Sequence, residues 1–263
     1  MTREREERAK IRLRQARRPR LAMSAMNTNN LTVQNPYMPM WWSAAMPGAG
    51  HIMVGKIIKG FSLFLWEFVI NTQSHLNESI CYSMLGRFQE AKDCLDLRWF
   101  FMYVTVFIFA CWDSYRLTLE VNQLAVLSYR EHAPLSAVKL SSIEINYLIK
   151  TNPWLGVVWS LFAPGLGHLI ARNLFQGLYF LICFIVVVYE SRLLESIYFT
   201  SIGHFGEATR VLDMEWALFF PSIYGFAVCD VYFRIIEANQ LFKLEQTRFL
   251  EGHYMDKAFK MPV

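Results

Sequence analysis

The chain lacks the signatures of familiar site chemistry. Its 263 residues contain no Gly-x-Ser-x-Gly nucleophile elbow, phosphate-binding loop, paired metal-ligand spacing or dinucleotide fingerprint. Those absences argue against a standard soluble enzyme domain, while leaving a membrane-embedded lipid enzyme open. They give no expectation of a catalytic residue, a cofactor or a metal site. Cysteine is scarce: five residues without regular spacing do not make a disulfide framework. Cys111, Cys183 and Cys229 lie in apolar runs and read as small core residues. Cys81 and Cys94 share one polar segment and could pair if that loop is extracytoplasmic. No apolar stretch directly follows the basic start, so a cleaved signal peptide is not expected.

What the chain has in quantity is apolar surface. It is 54% hydrophobic and 16% aromatic, above the soluble average of about 45–50% apolar. Net charge is only +4 but unevenly spread: the first twenty residues carry nine basic groups, Arg3 to Arg20, against three glutamates. Such a tail suits an anionic membrane surface or a nucleic acid, or simply marks the cytoplasmic side. In a chain this apolar, the lipid bilayer is the expected partner rather than nucleic acid.

The strongest feature is an internal repeat. Trp42-Ser43 and Pro47-Gly48-Ala49-Gly50-His51 recur as Trp159-Ser160 and Pro164-Gly165-Leu166-Gly167-His168, 117 positions on. The same ungapped offset pairs Gly60 with Gly177, Glu78 with Glu195, Gly86 with Gly203, Asp96 with Asp213 and Trp99 with Trp216. It also pairs Asp113, Tyr115, Glu120 and Asn122 with Asp230, Tyr232, Glu237 and Asn239. What survives in both copies is what the unit itself needs.

Each copy reads in the same order. A short aromatic segment comes first, Tyr37 to Met46 and Pro153 to Ala163, too short for a bilayer core that takes about 20 residues. It ends in the Pro-Gly turn and is expected to be an interfacial or re-entrant half-helix. A first span follows, Ile57 to Ile70 and Leu174 to Val188, continuing past the membrane through Glu78 and Glu195. Gly86 and Gly203 suit helix C-caps, Phe88–Leu95 and Phe205–Leu212 short amphipathic helices, and Asp96 and Asp213 N-caps. The second spans are Trp99 to Trp112 and Trp216 to Cys229, the latter kinked by Pro221.

The expected fold is an all-α integral membrane protein. It has four transmembrane helices in two tandem parallel repeats, each with a half-helix and an extracytoplasmic helical extension. The segments are a basic cytoplasmic tail (1–36), repeat 1 (37–124), a cytoplasmic linker (125–152), repeat 2 (153–242) and a cytoplasmic tail (243–263). Basic residues put both termini inside.

Four constellations are candidates for function. The turns, Pro47, Gly48, Gly50, His51 and Pro164, Gly165, Gly167, His168, offer broken-helix amides to an anion. If the two histidines meet, they could hold a metal or relay protons; otherwise the turns are structural. Asp113 with Glu120, and Asp230 with Glu237, stand seven apart, each pair on one helix face; Tyr115 with Asn122, and Tyr232 with Asn239, form a parallel stripe at the same spacing. Arg116 and Arg234 stand three and four residues after the aspartates, in reach of an ion pair. The strip is either a docking or gating surface or a charge-balanced helix end. Glu67, near mid-span, is a proton or cation group, or a protonated or lysine-paired structural carboxylate. Its equivalent is Phe184. The outer carboxylates Glu78, Glu90 and Asp96, repeated as Glu195, Glu207 and Asp213, are calcium candidates or helix caps and solvated faces.

The half-helix, the turn, the glycine nine residues after the histidine (Gly60, Gly177) and the Asp-x-Tyr exit (Asp113, Asp230) together resemble a known group. It consists of small, largely uncharacterised multi-pass membrane proteins of Gram-positive bacteria with a Pro-Gly-x-Gly-(His/Gln) turn. The resemblance covers about residues 40–125 and 155–242. It implies a bacterial plasma membrane location and assigns no catalytic residue. The functional expectation is a non-enzymatic accessory or assembly subunit of a larger membrane complex, a transporter being the first candidate. The alternatives are a small transporter or channel with a site at the repeat interface, and a membrane-anchored signalling protein acting through its basic tail.

Overall fold

A computed structural model describes residues 18–133, 135–142 and 144–254. Most of the basic N-terminal stretch, and the last nine residues, lie outside the described residues. What is described is mostly helical. A small hairpin opens it, β1 (Leu21–Met23) and β2 (Thr28–Asn30), antiparallel with Leu21 opposite Asn30. Then come α1 (Tyr37–Ala45), α2 (Ala49–Met53), α3 (Ile57–Ser74), α4 (Leu76–Met84), α5 (Phe88–Cys94) and α6 (Leu97–Arg130). A second hairpin, β3 (Val138–Leu140) and β4 (Ile145–Tyr147), precedes α7 (Pro153–Phe162), α8 (Leu166–Ile170), α9 (Leu174–Glu190), α10 (Leu193–Ser201) and α11 (Phe205–Val211). The chain closes with α12 (Met214–Ala217) and α13 (Phe219–His253).

Local chemistry explains the boundaries. Asn152 accepts from the Trp154 backbone N–H at 3.1 Å and Pro153 fills the first helical position, so α7 begins there. Asp96 caps α6 by accepting from Arg98 and Trp99, and Asp213 caps α12 by accepting from Trp216. Gly86 and Gly203 end α4 and α10 with φ of 76° and 84°. The turn at each hairpin is closed by a serine, Ser24 or Ser141, whose hydroxyl accepts from the backbone three residues on.

Three expectations differ from what is found, and one point the sequence left open, the Cys81–Cys94 pair, is answered. The helices at Ile57 and Leu174 do not run straight through Glu78 and Glu195: His75 and Arg192, both at φ 53°, break them. Pro221 does not kink a helix interior. It lies in the first turn of α13, where a missing N–H breaks no intrahelical bond, and the irregularity falls at Leu218. The segments read as tail and linker are partly ordered: hairpins occupy 21–30 and 138–147, α6 reaches Arg130 and α13 reaches His253. Cys81 and Cys94 remain free thiols.

Among the described residues, one helical stretch is long and apolar enough to cross a membrane, Met214–Gly252. Two bent pairs qualify as units: Phe88–Cys94 with Leu97–Arg130, bent by 91°, and Leu174–Glu190 with Leu193–Ser201, bent by 58°. The core draws on both halves of the chain: Met46, Ile52 and Phe64 pack with Phe180, Ile223 and Phe226. Trp42 meets Phe226 edge-on at 5.4 Å, and Phe61 stacks on Tyr179 at 3.8 Å between ring centroids.

The Pro-Gly turns press against the helices that follow. A Cβ on Gly48 (φ 100°) would lie 2.3 Å from the Gly60 carbonyl oxygen, and one on Gly165 (φ 108°) 2.4 Å from that of Gly177. Backbone thus touches backbone at two glycines, which explains their spacing. Gly48→Ala is expected to cost several times more stability than Gly86→Ala. The latter position is also left-handed but has open space around it, so alanine there costs about 1–2 kcal/mol. Thermal unfolding in mild detergent measures both; equal losses would show that the close approach is not needed.

Candidate functional site

Each Pro-Gly turn delivers its histidine to the long exit helix of its own half. His51 is fully buried, with Nε2 2.9 Å from Asp113 Oδ2 in α6. His168, equally buried, stands with Nε2 3.0 Å from Asp230 Oδ2 in α13. Neither Nδ1 has a hydrogen-bond partner among the described residues. The proton therefore belongs on Nε2, donated to the aspartate, because an N–H left at Nδ1 would be buried and unpaired. The turn residues also touch the half-helix behind them: a Cβ on Gly50 would lie 1.9 Å from the Pro39 carbonyl oxygen, and one on Gly167 2.2 Å from that of Gly156.

Cations complete each pair, differently in the two halves. Asp113 receives Lys59 from α3 and is gripped by Arg116, whose Nη2 and Nε lie 2.8 and 3.2 Å from Oδ1. Arg116 also reaches Glu120. Asp230 is paired with Arg234 Nε at 2.6 Å, and that arginine donates Nη2 to the Ile52 carbonyl at 2.8 Å, crossing to the first half. The position equivalent to Lys59 is Gln176, fully buried with neither amide atom partnered.

The rest of the two polar strips is taken up by the chain's own segments. Tyr115 packs on Tyr37 with ring centroids 5.4 Å apart, and Tyr232 on Trp154 at 6.1 Å. Asn122 exchanges two hydrogen bonds with the Gln34 backbone (2.9 and 2.8 Å), and Asn239 two with the Thr151 backbone (2.8 and 2.7 Å). Glu237 accepts from Asn30, Thr32 and Gln34 of the other half. Glu120 faces solvent on the outer side of Arg116.

Glu67 is buried on α3, and its Oε2 has no hydrogen-bond partner among the described residues. Lys59, two turns earlier, goes to Asp113 instead. Tyr103 of α6 and Tyr179 of α9 lie close enough to feel a charge there. Of the outer carboxylates, Asp96 and Asp213 are caps, while Glu90 pairs with Arg87 and Glu207 with His204, all exposed.

Sequence reasoning missed Lys59 as the cation of Asp113, and it missed the hairpins as partners of the strips. The signal for the hairpins was present: at the 117-residue offset, Ser24, Asn29, Leu31 and Asn35-Pro36 fall on Ser141, Asn146, Leu148 and Asn152-Pro153. The histidines were expected either to meet or to be structural anchors; each is bonded to its own aspartate, 62 residues away, rather than to a carbonyl.

The arrangement predicts unequal costs. Asp113→Ala strands His51 but leaves Lys59 and Arg116, 40% and 41% exposed, free to reach water, for about 1–3 kcal/mol. Asp230→Ala strands Arg234, only 9% exposed, for about 3–5 kcal/mol. Unfolding midpoints of the two variants in detergent test the order, and a larger loss for Asp113→Ala would contradict it. Compared with family models, curated proteins and solved structures, the chain finds no match.

Proposed function

We propose that this chain is a non-enzymatic integral membrane subunit that packs beside, stabilises or helps assemble a larger membrane complex, with a transporter as the first candidate. The spans of this reading are α3, α6, α9 and α12–α13, two from each half. The resemblance of the Pro-Gly-x-Gly-His units to multi-pass proteins of Gram-positive bacteria suggests the plasma membrane, with both termini cytoplasmic. Helix α3 has 18 residues and α9 has 17. At 1.5 Å per residue each spans about 25–27 Å, close to the roughly 30 Å of a hydrocarbon core.

One observation carries the reading: the groups best suited to chemistry, His51 and His168, are fully buried and fixed to Asp113 and Asp230. A small transporter or channel would present such groups to a wet cavity; an accessory subunit packs them. Four spans also leave little room for an independent path. The outward faces are rich in large apolar side chains, among them Phe101, Ile108 and Trp112 on α6 and Ile182, Ile185 and Tyr189 on α9. Such faces suit lipid and a neighbouring membrane protein alike. The transporter alternative keeps one favourable observation, the unpartnered Glu67 carboxylate oxygen. The signalling alternative rests on the basic tail; deleting residues 1–20 without effect on function would remove it.

Two experiments test the proposal. A gentle-detergent pull-down from the native membrane, followed by mass spectrometry, should recover a stoichiometric membrane partner. Recovery of the chain alone or as a homo-oligomer would overturn the accessory reading and put transport first. In a version without its native cysteines, Leu85→Cys should react with an impermeant maleimide on intact cells. Gly252→Cys should react only after permeabilisation; the reverse pattern contradicts the four-span topology.

A further inference from the structure

Where α3 ends, His75 turns the chain into α4 with a left-handed backbone, and Glu78 stands three residues on. Glu215 of α12, from the other half of the chain, leans against both. One ligand atom from each of the three side chains lies within 4.8 Å of the others. Glu215 is 8% exposed. Its Oε2 accepts the Glu78 backbone N–H at 2.7 Å, while its Oε1 is buried and has no partner. The backbone around it is fixed: Asn77 donates to the Glu215 carbonyl at 2.9 Å and is itself held by Asn71. His75 Nδ1 lies 3.7 Å from Glu78 Oε2, and both side chains reach solvent. The three residues line a cleft of about 710 Å³, together with Cys81 and Tyr82.

A buried ionised carboxylate with an unused oxygen, beside a second carboxylate, is unfavourable unless a proton or a cation neutralises it. No lysine or arginine ion pair to Glu215 occurs among the described residues. Beside its carboxylate stand an imidazole and another carboxylate. One nitrogen and two carboxylate oxygens form a donor set for borderline divalent metals such as Zn²⁺; Ca²⁺ and Mg²⁺ prefer oxygen alone. Ligands at about 2.1 Å from a tetrahedral centre stand roughly 3.4 Å apart, so the cluster need contract by little more than an ångström. The two ligands that must move, His75 and Glu78, are the exposed ones. We propose that His75, Glu78 and Glu215 bind one divalent transition-metal ion of the zinc class, and that this ion ties the α3–α4 corner of the first half to α12 of the second. The positions equivalent by the 117-residue offset are Arg192, Glu195 and Arg98. Arginine does not ligate metal, so the equivalent place in the other half does not repeat the site.

The test uses the full chain, purified in mild detergent with a histidine-free tag and stripped with a chelator. Titration with Zn²⁺ should show saturable binding of one ion per chain, and Co²⁺ in its place should give a visible absorption band. His75→Asn suits the left-handed backbone, and Glu215→Gln keeps an acceptor for the Glu78 N–H. Each should weaken Zn²⁺ binding by at least about 10–100-fold and abolish the cobalt band, with an unchanged elution volume. Arg192→Asn should bind as the unaltered chain does. Absence of saturable zinc binding or of the cobalt band in the unaltered chain overturns the proposal. So does undiminished binding in either ligand variant. If Glu215→Gln fails to fold, His75→Asn, altered at a half-exposed side chain, decides alone.

Discussion

A carboxylate taken out of water must be answered by hydrogen bonds and opposite charge, or several kcal/mol are lost. Asp113 and Asp230 are each 1% exposed, and much of the architecture is arranged around them. The imidazole that donates to each aspartate stands on a five-residue helix. That helix is brought into place by a turn which only glycine can make, because its backbone lies against the carbonyl of a second glycine. Half-helix, turn, histidine and exit helix are therefore one mechanical unit. Each part makes sense only as the means of bringing the imidazole to the carboxylate.

The same charge is balanced by different means in the two halves. In the first, a lysine from the neighbouring helix and an arginine three residues on share Asp113, both half open to solvent. In the second, a single arginine takes Asp230 through Nε and donates Nη2 to the opposite half. The requirement is for positive charge near the carboxylate rather than for a given residue at a given place. The second arginine thus pairs and tethers at once, while in the lysine's place stands Gln176, a buried amide with no hydrogen-bond partner among the described residues.

Local rules made much of this legible. The short helices, the Asp96 and Asp213 caps and the Gly86 and Gly203 stops follow from backbone chemistry that acts over three or four residues. The arginine beside each aspartate is likewise a matter of helical spacing. What the sequence did not disclose depends on contacts across long separations. Nothing local says that His51 points at Asp113, that Asn122 and Asn239 are bracketed by extended backbone from their own halves, or that Glu215 leans on Glu78. The breaks at His75 and Arg192 were hidden for another reason: neither residue is glycine, the usual left-handed one, although both have φ 53°. The hairpins were obscured by polar composition, which reads as tail or linker when strands are only three residues long.

The seating of the first hairpin has a temporal meaning. Thr28 donates to Asn173, and Asn30, Thr32 and Gln34 donate to Glu237, about two hundred residues later in the chain. A ribosome delivers the hairpin first and its seat last. Until Glu237 is made, the early half has its own histidine–aspartate lock and an Asn122 seat for the Gln34 backbone, but no acceptor for the Asn30 and Thr32 side chains. The helix that carries Glu237 supplies it. A chain interrupted before Glu237 leaves a visibly unfinished surface, the kind of mark by which quality control distinguishes partial from whole.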